Sequence, residues 1–95
     1  MALDKDGNVW SWGDNSFGQL GNGNFDYNYS GAPVRVLKPG DVPLTNIVSI
    51  DAGFEHSLAI DRDDNVWVWG RNDEGQLGLG SDYFPESQKY AIQMP

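Results

Sequence analysis

His56 is the only histidine in this 95-residue chain, and Ser57 follows it directly. An imidazole and a hydroxyl are parts of a nucleophilic catalyst, but only when their side chains meet. Neighbours on a strand project to opposite faces, so this pair does not assemble one. His56 reads instead as a hydrogen-bonded structural residue, with Ser57 tying one strand to the next. Asp4-Lys5-Asp6-Gly7-Asn8 and Asp61-Arg62-Asp63-Asp64-Asn65 place carboxylates at the alternate positions that calcium loops use. Such a loop needs Gly sixth and Glu twelfth, whereas Gly7 is fourth from Asp4 and the twelfth residue is Asn15. A polar hairpin turn accounts for both segments. Gly13-Asp14-Asn15-Ser16-Phe17-Gly18 has the glycine spacing of a phosphate loop, yet Gln19 stands where that motif requires Lys and no helix follows. Its glycines fit sharp corners and close packing, and Asn15 and Asn72 fit side-chain bonds to the backbone of those corners. There is no Cys, so thiolate metal sites and disulfides are excluded. The expectation is a chain with no catalytic residue, no metal and no cofactor, and therefore not an enzyme.

The aromatic residues are the other chemistry available. Trp10, Trp12, Trp67 and Trp69 form a potential stacking platform for sugars or bases, but their pattern fits core packing better. Phe25-Asp26-Tyr27-Asn28-Tyr29 lies in the long segment after Gly23. Read as a loop, it places Phe25, Tyr27 and Tyr29 in a candidate recognition patch, with Tyr83-Phe84 a shorter version of the same idea.

The elements that must position these residues alternate with period two. Val9-Trp10-Ser11-Trp12 reads as a strand with both indoles on one face, and Val66-Trp67-Val68-Trp69 as a strand apolar on both faces. Ile47-Val48-Ser49-Ile50-Asp51-Ala52 and Ser57-Leu58-Ala59-Ile60 read as two more. Pro33-Val34-Arg35-Val36-Leu37 and Tyr90-Ala91-Ile92-Gln93-Met94 read as weaker ones. Asp6-Gly7 suits a tight turn with positive φ, and Asn65 takes that role less readily in the second hairpin. Lys38-Pro39-Gly40-Asp41-Val42-Pro43 is a turn-rich link. No stretch shows a sustained helical period, so essentially no helix is expected.

The chain also repeats itself. Of the 22 positions in residues 2–23, 14 recur identically 57 residues later, where Ala2 returns as Ala59 and Gly23 as Gly80. A period of that length marks stacked supersecondary units that cannot bury their apolar faces alone. Short antiparallel strands with regular turns favour a β-propeller, whose blades are small four-stranded sheets. The first unit spans about residues 2–46 and lacks the strand that should precede Ala2; the second spans about residues 47–95. Fewer than two blades are present, so the ring is incomplete unless further blades join it.

Three steps carry a family resemblance: Ala52-Gly53-Phe54-Glu55-His56-Ser57, then Trp69-Gly70-Arg71-Asn72, then Gly75-Gln76-Leu77-Gly78-Leu79-Gly80. In that order they resemble the regulator of chromosome condensation repeat, and the resemblance covers nearly the whole chain. It implies seven-bladed propellers and partners as different as a small GTPase, chromatin and a secreted β-lactamase. It also implies structural roles for Trp10, Trp12, Gly13, Gly18, His56, Trp67, Trp69, Gly70 and Gly75.

Net charge is −8, with only 6 Lys and Arg together. That balance opposes nucleic acid, including the chromatin role, and anionic membrane surfaces. Met1 leads straight into the repeat without a basic n-region, so the chain reads as an excerpt of something longer or a very short reading frame. Four buried Trp would withdraw roughly 600–1,000 Å² from water. Exposing all of it would forfeit on the order of 15–25 kcal/mol. The expectation is a protein-interaction scaffold that works only among further blades, either identical copies in a homo-oligomer or the remainder of a longer polypeptide. The alternative is a carbohydrate-binding module that uses the loop aromatics.

Overall fold

Alternation of apolar and polar side chains is realised as antiparallel strands, and the described residues contain no helix. The computed structural model describes residues 1–80 and 86–94, with the backbone only of residues 26–30. β1 (Ala2–Leu3), β2 (Val9–Asn15) and β3 (Asp26–Arg35) form one sheet in that order. β4 (Leu37–Lys38) and β5 (Val42–Pro43) make a small hairpin whose turn carries positive φ at Gly40 and Asp41. β6 (Ile47–Ala52), β7 (His56–Asp61), β8 (Val66–Gly70) and β9 (Gln88–Gln93) form a four-stranded meander.

Two sequence expectations need correction. The segment beginning at Asp26 is not a loop: it opens β3, pairing Asn15 with Asp26 and Gly13 with Ser30 across two register shifts. Its alternation of aromatic and polar residues is itself the strand period. The left-handed residue of the second hairpin is Asp64, with φ 65°, not Asn65; Gly7, with φ 82°, holds that place in the first.

The equivalence of the two sheets is direct. Trp10 pairs with Arg35 as Trp67 pairs with Gln93. The Val36 N–H donates to the Val9 carbonyl over 3.0 Å, and the Met94 N–H donates to the Val66 carbonyl over 2.8 Å. Val36 and Met94 are therefore counterparts.

The main core lies between the sheets. Val9, Val36 and Leu44 from the first unit meet Ile47, Ala59, Trp69 and Ala91 from the second. The period-two rule then sorts the faces. The Trp67–Trp69 face of β8 turns toward the first sheet. Val68, with Leu77 and Leu79 and the half-buried Leu58, Val66, Ile92 and Met94, forms a second apolar cluster on the other side. By the same alternation, Val9 and Ser11 of β2 face the second sheet, so Trp10 and Trp12 face away from it.

Candidate interaction surface

The two acidic hairpins are built alike and hold an indole each. In the first, one Asp4 carboxylate oxygen accepts from the backbone N–H groups of Asp6 (2.9 Å) and Asn8 (3.0 Å). The other accepts from Asn8 Nδ2 (3.2 Å) and Trp10 Nε1 (3.0 Å). Asp61 repeats all four bonds with Asp63, Asn65 and Trp67 at 2.9–3.1 Å. The Trp10 indole and the Asn8 amide favour the carboxylate and hold the Asp4 pKa down at about 2. Burial opposes ionisation of Asp61, but its bonds from Trp67 and Asn65 outweigh that and lower its pKa as well. Each carboxylate thus bonds its own turn, the arrangement of a polar hairpin. The indole at the sixth residue after each Asp was the part sequence reasoning missed, although the Asp-x-Asp-x-Asn-x-Trp spacing recurs in both copies.

The corner loops are also alike. Asn15 and Asn72 are buried, and their side-chain oxygens accept from the N–H groups of Leu20 (3.0 Å) and Leu77 (3.1 Å). The first loop does more, because it receives the second sheet. The Trp69 indole donates to the Gln19 carbonyl over 3.0 Å, and Trp69 is 0% exposed. Gly21, with φ 67°, has no room for a side chain, since a Cβ there would stand 2.9 Å from Val36 and 3.0 Å from the Trp69 ring. Gln19, Gly21 and Val36 are a socket, and Trp69 is the knob that fills it.

Trp12 occupies the position of Trp69 in the first sheet and is 44% exposed. Core packing therefore holds for Trp69, holds partly for Trp10 and Trp67, and fails for Trp12. The physical reason is that no described residue lies on the far side of the first sheet as Gln19 and Gly21 lie against Trp69.

The remaining candidates are placed as follows. Gly13, Gly18, Gly70 and Gly75 all take positive φ. At Gly70 a Cβ would lie 2.5 Å from the Glu55 carbonyl oxygen, so the end of β8 passes directly under the 53–56 turn. His56 and Ser57 do sit on opposite faces, His56 half-buried and Ser57 buried. The imidazole packs against Gly53, where a Cβ would meet its Cε1 at 2.5 Å. Among the described residues that contact, and not a side-chain hydrogen bond, is what fixes it. Phe25 is 47% exposed, with the Lys89 ammonium 5.6 Å from its ring. The side chains of Tyr27 and Tyr29, and all of Tyr83 and Phe84, lie outside the described residues.

Sequence reasoning also passed over Arg71. Its guanidinium bonds Asp73 (2.6 Å) and Glu55 (3.0 Å) and lies 5.0 Å over the Phe17 ring of the first unit. The Asp73 bond, opposed by burial and helped by Glu55, raises the Arg71 pKa; the same bond lowers that of Asp73. Beside this bridge lies a cleft of about 180 Å³ between the units, lined in part by Ser11, Asp14, Gln19, Phe54 and His56. Phe54 is 97% exposed at its rim. Small-molecule sites typically run to roughly 300–1,000 Å³, so this cleft suits a side chain better than a substrate. Among the described residues no group of three or more His, Asp or Glu is placed to hold a metal ion. Among the described residues there is no helix long and apolar enough to cross a membrane. The arrangement offers apolar sheet faces and rigid turns for contact.

Comparison with known proteins agrees with this geometry. The family model described as the regulator of chromosome condensation (RCC1) repeat matches residues 6–60 and 63–93, and a second model of the same description matches residues 47–76. The chain is 44% identical over 80 residues to the ultraviolet-B receptor UVR8 of Arabidopsis thaliana, covering 84% of this chain and 17% of that protein. It is 39% identical over 83 residues to the probable E3 ubiquitin-protein ligase HERC6 of Homo sapiens, covering 87% and 8%. Among solved structures, Prp20p of Saccharomyces cerevisiae superposes with a TM-score of 0.79 at 21% identity, over 98% of this chain and 22% of that one. Yeast RCC1 (Prp20) bound to Kap60 superposes with a TM-score of 0.68 at 29% identity, over 100% and 22%. The chain thus spans less than a quarter of the length of these relatives.

Proposed function

The chain belongs to the regulator of chromosome condensation (RCC1) repeat family, its sheets are β-propeller blades, and on that premise we propose that it is a non-catalytic blade pair that scaffolds protein contacts within a larger blade assembly. The observation that carries this reading is the contrast between two equivalent indoles, Trp69 sealed by the neighbouring unit and Trp12 44% exposed. Exposed apolar sheet faces are characteristic of surfaces awaiting a partner. A propeller typically has 4–8 blades, so covering blades are the natural occupants of such faces. They come from identical copies or from further repeats. The solved complexes of relatives add support, since one of them holds yeast RCC1 bound to Kap60, and Prp20p was studied for binding to Gsp1p and histones. For this chain the partner class is protein; a net charge of −8 disfavours polyanions.

Site-specific photocrosslinking in the source cell tests the proposal. A benzophenone side chain is placed at position 12, on the open sheet face, or at position 54, on the exposed turn. Adducts to polypeptides at position 12, and to repeat-bearing polypeptides in particular, are expected. Absence of polypeptide adducts at both positions, together with retention on a glycan array, would overturn it in favour of sugar binding.

A further inference from the structure

We propose that the loop Gly75-Gln76-Leu77-Gly78, together with Met94, is a socket for the Trp12 indole of a second copy of this chain, joined head to tail. The inference rests on the blade-assembly reading and names the contact that would perform it.

The joint already present inside the chain supplies the pattern. Trp69 enters a socket made by Gln19, Gly21 and Val36, and its indole donates to the Gln19 carbonyl over 3.0 Å. The parts of that joint recur once more, without a counterpart set against them among the described residues. Trp12-Gly13 repeats Trp69-Gly70, and Gly75-Gln76-Leu77-Gly78 repeats Gly18-Gln19-Leu20-Gly21 without a change. Met94 stands in the backbone position of Val36. Gly78 keeps the positive φ of Gly21, 69° against 67°. Where the Trp69 ring lies beside Gly21, the atom nearest to a Gly78 Cβ is the Met94 methyl at 3.2 Å. A flexible thioether is the side chain best able to yield to an incoming ring.

The faces match over more than one residue. On its other side the second sheet carries the buried Val68, Leu77 and Leu79, with Val66, Ile92 and Met94 half-buried around them. The first sheet presents Ala2, Trp10, Trp12 and Pro33 on its far side, at the positions of Ala59, Trp67, Trp69 and Ala91, which are the second unit's share of the existing joint. Ala2, Trp12 and Pro33 are exposed, while Ala59, Trp69 and Ala91 are buried. Knob and socket lie on opposite sides of the molecule, so the contact is heterologous and propagates to a ring or a short open stack. The occupant is a second copy because the copy brings the same knob to the same socket that the chain already uses within itself.

Sedimentation velocity over a micromolar concentration series tests this, with two variants that each block one side. Trp12→Ala removes an exposed knob; Met94→Glu puts a charge on the socket floor. Circular dichroism verifies that each variant keeps the wild-type fold, and Trp12→Phe serves as a milder knob variant that loses only part of the ring and the N–H. Wild type should self-associate, and each variant should do so at least about tenfold more weakly. Mixed together, the two variants should form a dimer that grows no further, because the one intact knob fills the one intact socket and both remaining ends are blocked. If wild type associates and Trp12→Ala associates equally well, the socket is overturned while self-association stands. If wild type is a folded monomer throughout the series, the second copy is overturned as the occupant and self-association falls with it.

Discussion

Replacing Trp69 and Trp12 by Ala, one at a time, should cost very different amounts of stability although the two residues are equivalent by sequence. Trp69 is 0% exposed and Trp12 is 44% exposed. A buried Trp withdraws roughly 150–250 Å² from water. At about 25 cal/mol/Å² that is about 4–6 kcal/mol for Trp69. Measured aromatic-to-Ala changes in cores run to about 3–5 kcal/mol, which overlaps that figure. Losing the indole bond to the Gln19 carbonyl adds about 1 kcal/mol. Trp12 keeps nearly half its surface wet, so its removal costs only about 2–3.5 kcal/mol by the same area rule. The difference between the variants is therefore about 3 kcal/mol. Urea unfolding at a concentration where the chain is monomeric measures it. With a slope of about 1–3 kcal/mol/M, the Trp69→Ala midpoint falls roughly 1–3 M below that of Trp12→Ala. A domain of this kind has about 5–15 kcal/mol in all, so Trp69→Ala sits close to unfolding and Trp69→Phe provides a milder second point. Equal costs for the two Ala variants would refute the reasoning, because they would mean that the first unit does not seal Trp69.

Gly21→Val should destabilise by at least about 2 kcal/mol, through the forced left-handed backbone and the clash with Val36 and the Trp69 ring, measured by thermal melting. Asp4, held near pKa 2 by the Trp10 indole and the Asn8 amide, starts from an ordinary value of 3.8. A depressed folded value means its contribution is complete above about pH 4 and is lost as pH falls toward about 2. Asp4→Asn should therefore flatten the acid limb of the stability–pH curve in that window. Tyr90 donates to Asp41 over 2.6 Å, and that bond, with burial and the nearby charge, raises the phenol pKa above its ordinary 10.0. Its contribution is complete below about pH 10 and is lost as pH rises through the raised value. Ultraviolet titration should show one phenol ionising late, and Tyr90→Phe should abolish that late step. Arg71→Met should loosen the 53–56 turn and the Phe17 contact, read as faster amide exchange at Glu55 and Phe17.

Much of the architecture was legible because the physics is local. Val9-Trp10-Ser11-Trp12 and Val66-Trp67-Val68-Trp69 declare strands by alternation, and Asp6-Gly7 declares a turn by its need for positive φ. The repeat then fixed which residues correspond. What alternation does not encode is which neighbour covers a face. Trp12 and Trp69 sit in the same local pattern, and only the presence of Gln19 and Gly21 against one of them separates buried from exposed. Residues 25–29 read as a loop because Asp and Asn disfavour strands, yet from Asp26 onward pairing with β2 decided the matter. The left-handed angle fell on Asp64 because the Asp61 carboxylate captures the Asn65 N–H and side chain and leaves Asp64 at the tip. The candidate site was less legible than the fold. The socket is made of glycines, a carbonyl and an aliphatic side chain, none of which announces chemistry in a sequence, while the residues that did, His56 and Ser57, are held apart by strand geometry.

The central claim is that the two units are adjacent blades locked by one indole, and indole N–H exchange read by nitrogen–proton NMR tests it directly. Among the four Trp signals, that of Trp69 should exchange slowest and show a proton contact to Gly21, while that of Trp12 exchanges fastest. A Trp69 signal that exchanges as fast as Trp12 and lacks the Gly21 contact would contradict the account.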